Sequence, residues 1–105
     1  MEALFMIGAS SGCVPELGRQ LRTAKGVVNV WAIISGDFDF AVLARGDSLE
    51  QLVDFKERTL SAMSMPVDVG TEGITMRPLV DHVKVNVISG PDNPDPVSRR
   101  QWKVR

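Results

Sequence analysis

The stretch that decides the fold is Val27-Val28-Asn29-Val30-Trp31-Ala32-Ile33-Ile34-Ser35-Gly36-Asp37-Phe38-Asp39-Phe40-Ala41-Val42-Leu43-Ala44. Two apolar, β-branched and aromatic runs flank Gly36-Asp37-Phe38-Asp39, and Gly-Asp between such runs is a hairpin signal, because both residues tolerate the positive φ of a tight turn. Side chains alternate along a strand. Val28, Val30, Ala32 and Ile34 therefore fall on one face, with Val27, Asn29, Trp31 and Ile33 on the other. Past the turn, Phe38, Phe40, Val42 and Ala44 share a face and Ala41 and Leu43 take its opposite. Both faces of the hairpin call for burial. A chain of 105 residues can cover one with its own helices, and a second copy is the economical cover for the other.

Working outward, Ala3 to Gly8 reads as a first strand, with Leu4 and Met6 on one side and Phe5 and Ile7 on the other. After a Gly/Ser loop, Pro15 suits the first turn of a helix whose buried stripe is Leu17, Leu21 and Ala24, and Gly26 ends it. A second helix opens on a capping box, Ser48 with Gln51, under a stripe of Leu49, Leu52, Val53, Leu60 and Met63. Val67 to Leu79 reads as a fourth strand weakened by Gly70 and Gly73, and His82 to Ile88 as an edge strand. The order β-α-β-β-α-β is the split-βαβ pattern. It predicts an α+β, ferredoxin-like sandwich over residues 1–88: a four-stranded antiparallel sheet with two helices on one face. Residues 89–105, Pro-rich and then basic, read as a tail. On the open face Trp31, Ile33, Ala41 and Leu43 form the expected dimer interface, where aliphatic neighbours suit Trp31 to packing rather than ligand stacking.

Composition excludes several function classes. Net charge is −1 and the pI about 5.7, which offers no electrostatic footprint for nucleic acid or a membrane surface. One Cys and one His cannot make a structural metal site or an internal disulfide, so no cofactor is expected. The N-terminus has no basic signal-peptide region and no run long enough to span a bilayer, which predicts a cytoplasmic protein. Cys13 reads as a small residue before a helix, and His82, at a strand end with Asp81 and Lys84, as solvated.

With this order, the chain resembles the effector-binding domain of the Lrp/AsnC family, the RAM domain, over residues 3 to 84. Gly26-Val27-Val28 is similar to the family's Pro-Gly-Val approach to strand two, with Lys25 in place of proline. Gly36-Asp37-Phe38-Asp39-Phe40 resembles its Gly-x-Tyr-Asp-hydrophobic hairpin, with phenylalanine for tyrosine. Asp47 to Leu52 looks like the start of its second helix, and Thr71-Glu72 like its Thr-Glu-Thr segment, with Gly73 for the second threonine. The resemblance implies sheet-to-sheet homodimers, often assembled into a ring of four dimers, which bind a free amino acid between dimers near the strand-two/strand-three turn. It also implies a form without the helix-turn-helix that normally precedes the domain, working as a regulatory subunit, in company with a DNA-binding relative if it acts on genes.

The residues assigned to the effector are Asp39 for the ammonium group, the backbone at Gly36 for the carboxylate, Phe38 as an apolar wall and Thr71 as a hydroxyl from strand four. Two other readings stand beside this one. One is an oligomerisation scaffold that senses nothing. The other is a small dimeric ferredoxin-like enzyme of monooxygenase type using Asn29, Trp31 and His82; no nucleophile–base pair or paired carboxylates support catalysis, so the chain reads as a non-enzyme.

Overall fold

Two helical segments lie against one face of an antiparallel sheet in the computed structural model, which describes residues 1–68 and 70–89. The elements run β1 (Glu2–Ala9), α1 (Val14–Thr23), β2 (Val27–Ala32), β3 (Phe40–Arg45), α2 (Leu49–Asp54) continuing into a π-helical turn (Phe55–Leu60), β4 (Ser64–Asp68), β5 (Ile74–Pro78) and β6 (Val80–Ser89). The four-stranded sheet has the order β2-β3-β1-β6, every neighbouring pair antiparallel. Each crossover helix thus joins two parallel strands with one strand between them, the ferredoxin-like arrangement.

The fourth place in that sheet is the main correction to the sequence reading. Val67 to Leu79 is not one strand. Gly70 and Gly73, both at positive φ, open and follow a 3₁₀ turn (Gly70–Glu72) that reverses the chain, and among the described residues β4 and β5 pair with each other as a separate two-stranded arm. The edge strand expected at His82 to Ile88 instead occupies the fourth position, pairing with β1 over its whole length. Burial explains the choice: Val80, Val83 and Val85 of β6 pack against the core, whereas every residue of β5 is exposed. The segment expected as a tail lies, apart from Ser89, outside the described residues.

The core is the layer between sheet and helices. Ala3, Phe5 and Ile7 of β1 and Phe40, Val42 and Ala44 of β3 point into it, met by Leu17 and Leu21 of α1 and by Leu52, Phe55 and Leu60. Phe5 and Phe55 pack ring to ring at 5.0 Å. The predicted capping box is present: Ser48 Oγ accepts from the Gln51 amide at 3.3 Å, and Gln51 Oε1 accepts from the Asp47 amide at 2.7 Å, one residue earlier than the usual return bond. The stripe below it differs from the prediction. The π turn widens the repeat, so Phe55 and Leu60, five apart, both face the core, while Leu49 and Val53 stay half exposed.

A register shift between Val27 and Asn29 also changes the faces of β2. Val27 stands opposite Ala44 and Val30 opposite Val42, both on the helix side, and Val28 is turned outward.

Candidate functional site

The register arranges the open face in rows. Trp31, Ala41, Met6 and Lys84 form one row, and Asn29, Leu43, Leu4 and Asn86 the next. Beyond them the Arg45–Glu2 ion pair closes one end, with Arg45 Nε 3.0 Å from the Glu2 carboxylate. Trp31, Ala41 and Leu43 thus share the open face as expected, joined by Leu4 and Met6. Ile33 lies just past the end of β2, half buried, its amide donating to the Asp39 carbonyl at 2.8 Å. The face has an apolar centre and a polar rim, the anatomy of a protein interface.

At the other end of the face sits the β2–β3 connection. It is not the tight turn that Gly-Asp suggested but a loop over residues 33–39, closed by the Ile33–Asp39 bond. Only glycines in this chain adopt positive φ among the described residues; Gly36, at +94°, is the loop's one such position and Asp37 has no need of it. Ile34, expected on a strand face, is carried to the loop surface and is fully exposed.

Three anchors hold the loop to β1 and β6. The Asp39 amide donates to the Ile7 carbonyl at 2.8 Å. The Asp39 carboxylate accepts from the Ala9 amide at 2.7 Å; β1 and β3 last pair at Ile7 and Phe40, and beyond that pair a side-chain oxygen replaces the ladder carbonyl. The third anchor is His82, whose Nε2 is 2.7 Å from the Asp37 carbonyl and whose Nδ1 is 2.8 Å from the Asp81 carboxylate. Phe38 packs against the imidazole with the two rings tilted by 51° and their centres 5.0 Å apart.

His82 is the residue the sequence reading missed. It is exposed, as expected, but it also lies across Gly8, where an added Cβ would come within 2.1 Å of the ring. The register shift between Gly8 and Ala9 on the β6 side turns Asp81 and His82, which alternation would separate, toward one another. The available signal was Gly8, a glycine inside a strand, which marks a close approach.

Of the four predicted effector residues, Gly36, Phe38 and Asp39 lie in the 33–39 loop, where Asp39 bonds the Ala9 amide and Phe38 meets His82. Thr71 is elsewhere: it belongs to the 3₁₀ turn at the tip of the β4–β5 arm, exposed, roughly 15 Å along the hairpin from its base. Asp39 Oδ1 and the amides of Gly36 and Asp37 have no protein partner among the described residues. One carboxylate oxygen and a pair of amides are therefore free within a short span.

The constellation weighed for an enzyme is not assembled. Asn29 and Trp31 lie on β2, one edge of the sheet, and His82 on β6, the opposite edge. Cys13 is buried at the start of α1, its Sγ 3.6 Å from the Ser11 carbonyl, and serves as a small core residue. Among the described residues no three His, Cys, Asp or Glu side chains cluster as a metal site, and no helix is long and apolar enough to cross a membrane. A cleft of about 340 Å³ opens on the helix side between the α1–β2 connection and α2, lined by Lys25, Arg45 and Arg58; Arg45 is engaged by Glu2 and Arg58 by Asp54.

No protein-family model matches the chain, and no curated protein sequence does. Solved structures share its fold. FFRP-DM1 superposes with a TM-score of 0.65 at 16% identity, over 84% of this chain and 97% of that one. The hypothetical protein PHS023 from Pyrococcus horikoshii gives 0.61 at 16% identity, over 90% and 96%. The transcriptional regulator NMB0573 from Neisseria meningitidis, crystallised with L-Met, gives 0.63 at 12% identity, over 94% of this chain and 58% of the regulator. This chain is thus similar in length to the first two and spans little more than half of the third, and at these identities what it has in common with all of them is the α+β ferredoxin-like fold.

Proposed function

We propose that this chain is an effector-binding regulatory module of the Lrp/AsnC type, which takes up a free amino acid or similar small metabolite at the 33–39 loop. The observation that carries the reading is the state of Asp39. Its Oδ2 is held by the Ala9 amide while its Oδ1 is without a protein partner among the described residues, in the same loop as Gly36. A carboxylate fixed by one oxygen and open at the other suits an ammonium group, and the Gly36 and Asp37 amides suit a carboxylate. Phe38, held by His82, supplies an apolar wall. The sharing of a fold with a regulator crystallised with L-Met supports the same class of ligand.

The module works as a homodimer joined through the open face around Trp31, Ala41, Leu43, Leu4 and Met6, with Ile33 at its margin, and dimers join further into a ring. Thr71, at the tip of its arm, then reaches the loop of a neighbouring copy rather than its own. A DNA-binding relative is the partner through which such a module acts on transcription.

Calorimetric titration of wild type and Asp39→Asn against single amino acids tests this reading. Asparagine keeps an oxygen for Ala9 and removes the charge for the ammonium. The expected result is binding to wild type and a loss of at least about tenfold in the variant; equal affinities would move the site away from Asp39.

A further inference from the structure

We propose that the doubly protonated imidazole of His82 is the positioning residue of the 33–39 loop, seating it while both ring nitrogens carry protons and releasing it when one proton is lost. This goes beyond the effector reading in assigning the loop a control, and it rests on that reading only for its consequence for binding.

Both ring nitrogens of His82 face acceptors. Nε2 faces the Asp37 carbonyl at 2.7 Å and Nδ1 faces the Asp81 carboxylate at 2.8 Å. A carbonyl never donates and an ionised carboxylate only accepts, so both contacts are hydrogen bonds only if the ring carries two N–H groups. A neutral imidazole has one. The charged carboxylate, on the adjacent residue, is the stronger acceptor and keeps Nδ1–H. Nε2 then turns a lone pair toward the Asp37 carbonyl, and an attraction becomes a repulsion at the centre of the loop. Phe38, packed at a tilt against the same ring, loses its seat with it.

The surroundings favour the charged ring. The hydrogen bond to Asp81 first, and that to the Asp37 carbonyl second, raise the His82 pKa above its ordinary value, against a smaller opposing effect of burial. Asp81 on β6 and Asp37 on the loop lie against it, with Lys84 one step along β6 on the same face. From the π turn, Lys56 and Glu57 line the cleft of about 260 Å³ that His82 and Asp81 also line, one of each sign. The sign follows: the clamp is complete below the ordinary histidine range near 6.5 and is lost as pH rises through the raised value.

Hydrogen exchange read by mass spectrometry over residues 31–40, without ligand and corrected for intrinsic exchange, tests the clamp. The Ile33 and Asp39 amides, which close the loop, are its reporters. Wild type is expected to exchange them several-fold more slowly at pH 6 than at pH 8.5, and His82→Ala to exchange them fast at both. Asp81→Asn keeps His82 and an acceptor but lowers the midpoint of the pH effect, a change that a merely structural histidine would not produce. Equal protection in wild type and His82→Ala at pH 6, with both proteins folded by circular dichroism, would overturn the proposal, as would a midpoint unmoved by Asp81→Asn. Amino-acid titrations at the two pH values separate the claims: a pH-dependent loop that binds no amino acid sinks the effector reading and leaves the clamp standing. Binding of equal strength at both pH values, with the loop equally protected, sinks the clamp and leaves the effector reading.

Discussion

The Asp39 carboxylate and the Ala9 amide are joined by a 2.7 Å hydrogen bond in which a side chain completes the ladder that β3 abandons. Asp39→Ala leaves that half-buried amide without its charged acceptor, and such bonds are worth about 1.5–3 kcal/mol. Partial exposure reduces the effect, so the expected loss is about 1–2 kcal/mol by urea denaturation. Asp39→Asn should lose less than half as much. A neutral effect of Asp39→Ala would mean that the bond does not hold the loop.

Trp31 sits on the open face in the row of Ala41 and Met6. Trp31→Lys places a charge in the proposed dimer contact, where an unpaired ammonium is costly to bury. Analytical ultracentrifugation should show dimer dissociation strengthened by at least about a hundredfold. An unchanged assembly would exclude this face as the interface.

Gly18 lies on the buried side of α1, where helix propensity alone predicts that alanine stabilises by about 0.8–1 kcal/mol. An added Cβ would lie 2.9 Å from Phe40 Cζ, on a ring with no room to retreat in the core. Gly18→Ala is therefore expected to destabilise by about 1–2 kcal/mol. A rise in melting temperature would mean that Phe40 is looser than the packing indicates.

Glu16 is held by Arg19, with Nε at 3.0 Å, and by Gln20 Nε2 at 2.8 Å, and these bonds lower its pKa to about 2. Because the folded value is depressed, its contribution to stability is present above the ordinary value of 4.5 and is lost as pH falls from there toward 2. Gln20 Nε2 also donates to the Ser64 carbonyl at 3.0 Å, so the same group links α1 to the base of the arm. Glu16→Gln should flatten the stability profile between pH 4.5 and 2 in thermal melts. An unaltered acid limb would assign it to other carboxylates.

Alternation and capping made most of the fold legible in the sequence, and three local effects limited it. The faces of β3 follow directly from Phe40, Val42 and Ala44, and the capping box at Ser48 and Gln51 forms as its chemistry requires. The bulge at Val27–Asn29 shifts the period of β2, and the π turn at Phe55–Leu60 shifts that of the second helix; neither leaves a mark in a strict repeat. Gly70 and Gly73 were read as weak points of one strand when together they reverse the chain, which moved Thr71 out of the sheet and brought β6 into it. In the candidate site, Asp39, Gly36 and Phe38 were proposed from a local motif, and the structure places all three in the 33–39 loop. His82 is 45 residues from Asp37 in the chain, and no local pattern links them.

The most direct test of the account is a thermal-shift measurement of the assembled wild-type protein against each common free amino acid at millimolar concentration. A ligand at 100 times its dissociation constant that binds only the folded state adds about 2.7 kcal/mol, well within reach of the method. The account predicts a selective rise in melting temperature with one amino acid or a small related group. A flat response across the whole set, from protein that is folded and oligomeric, would contradict it.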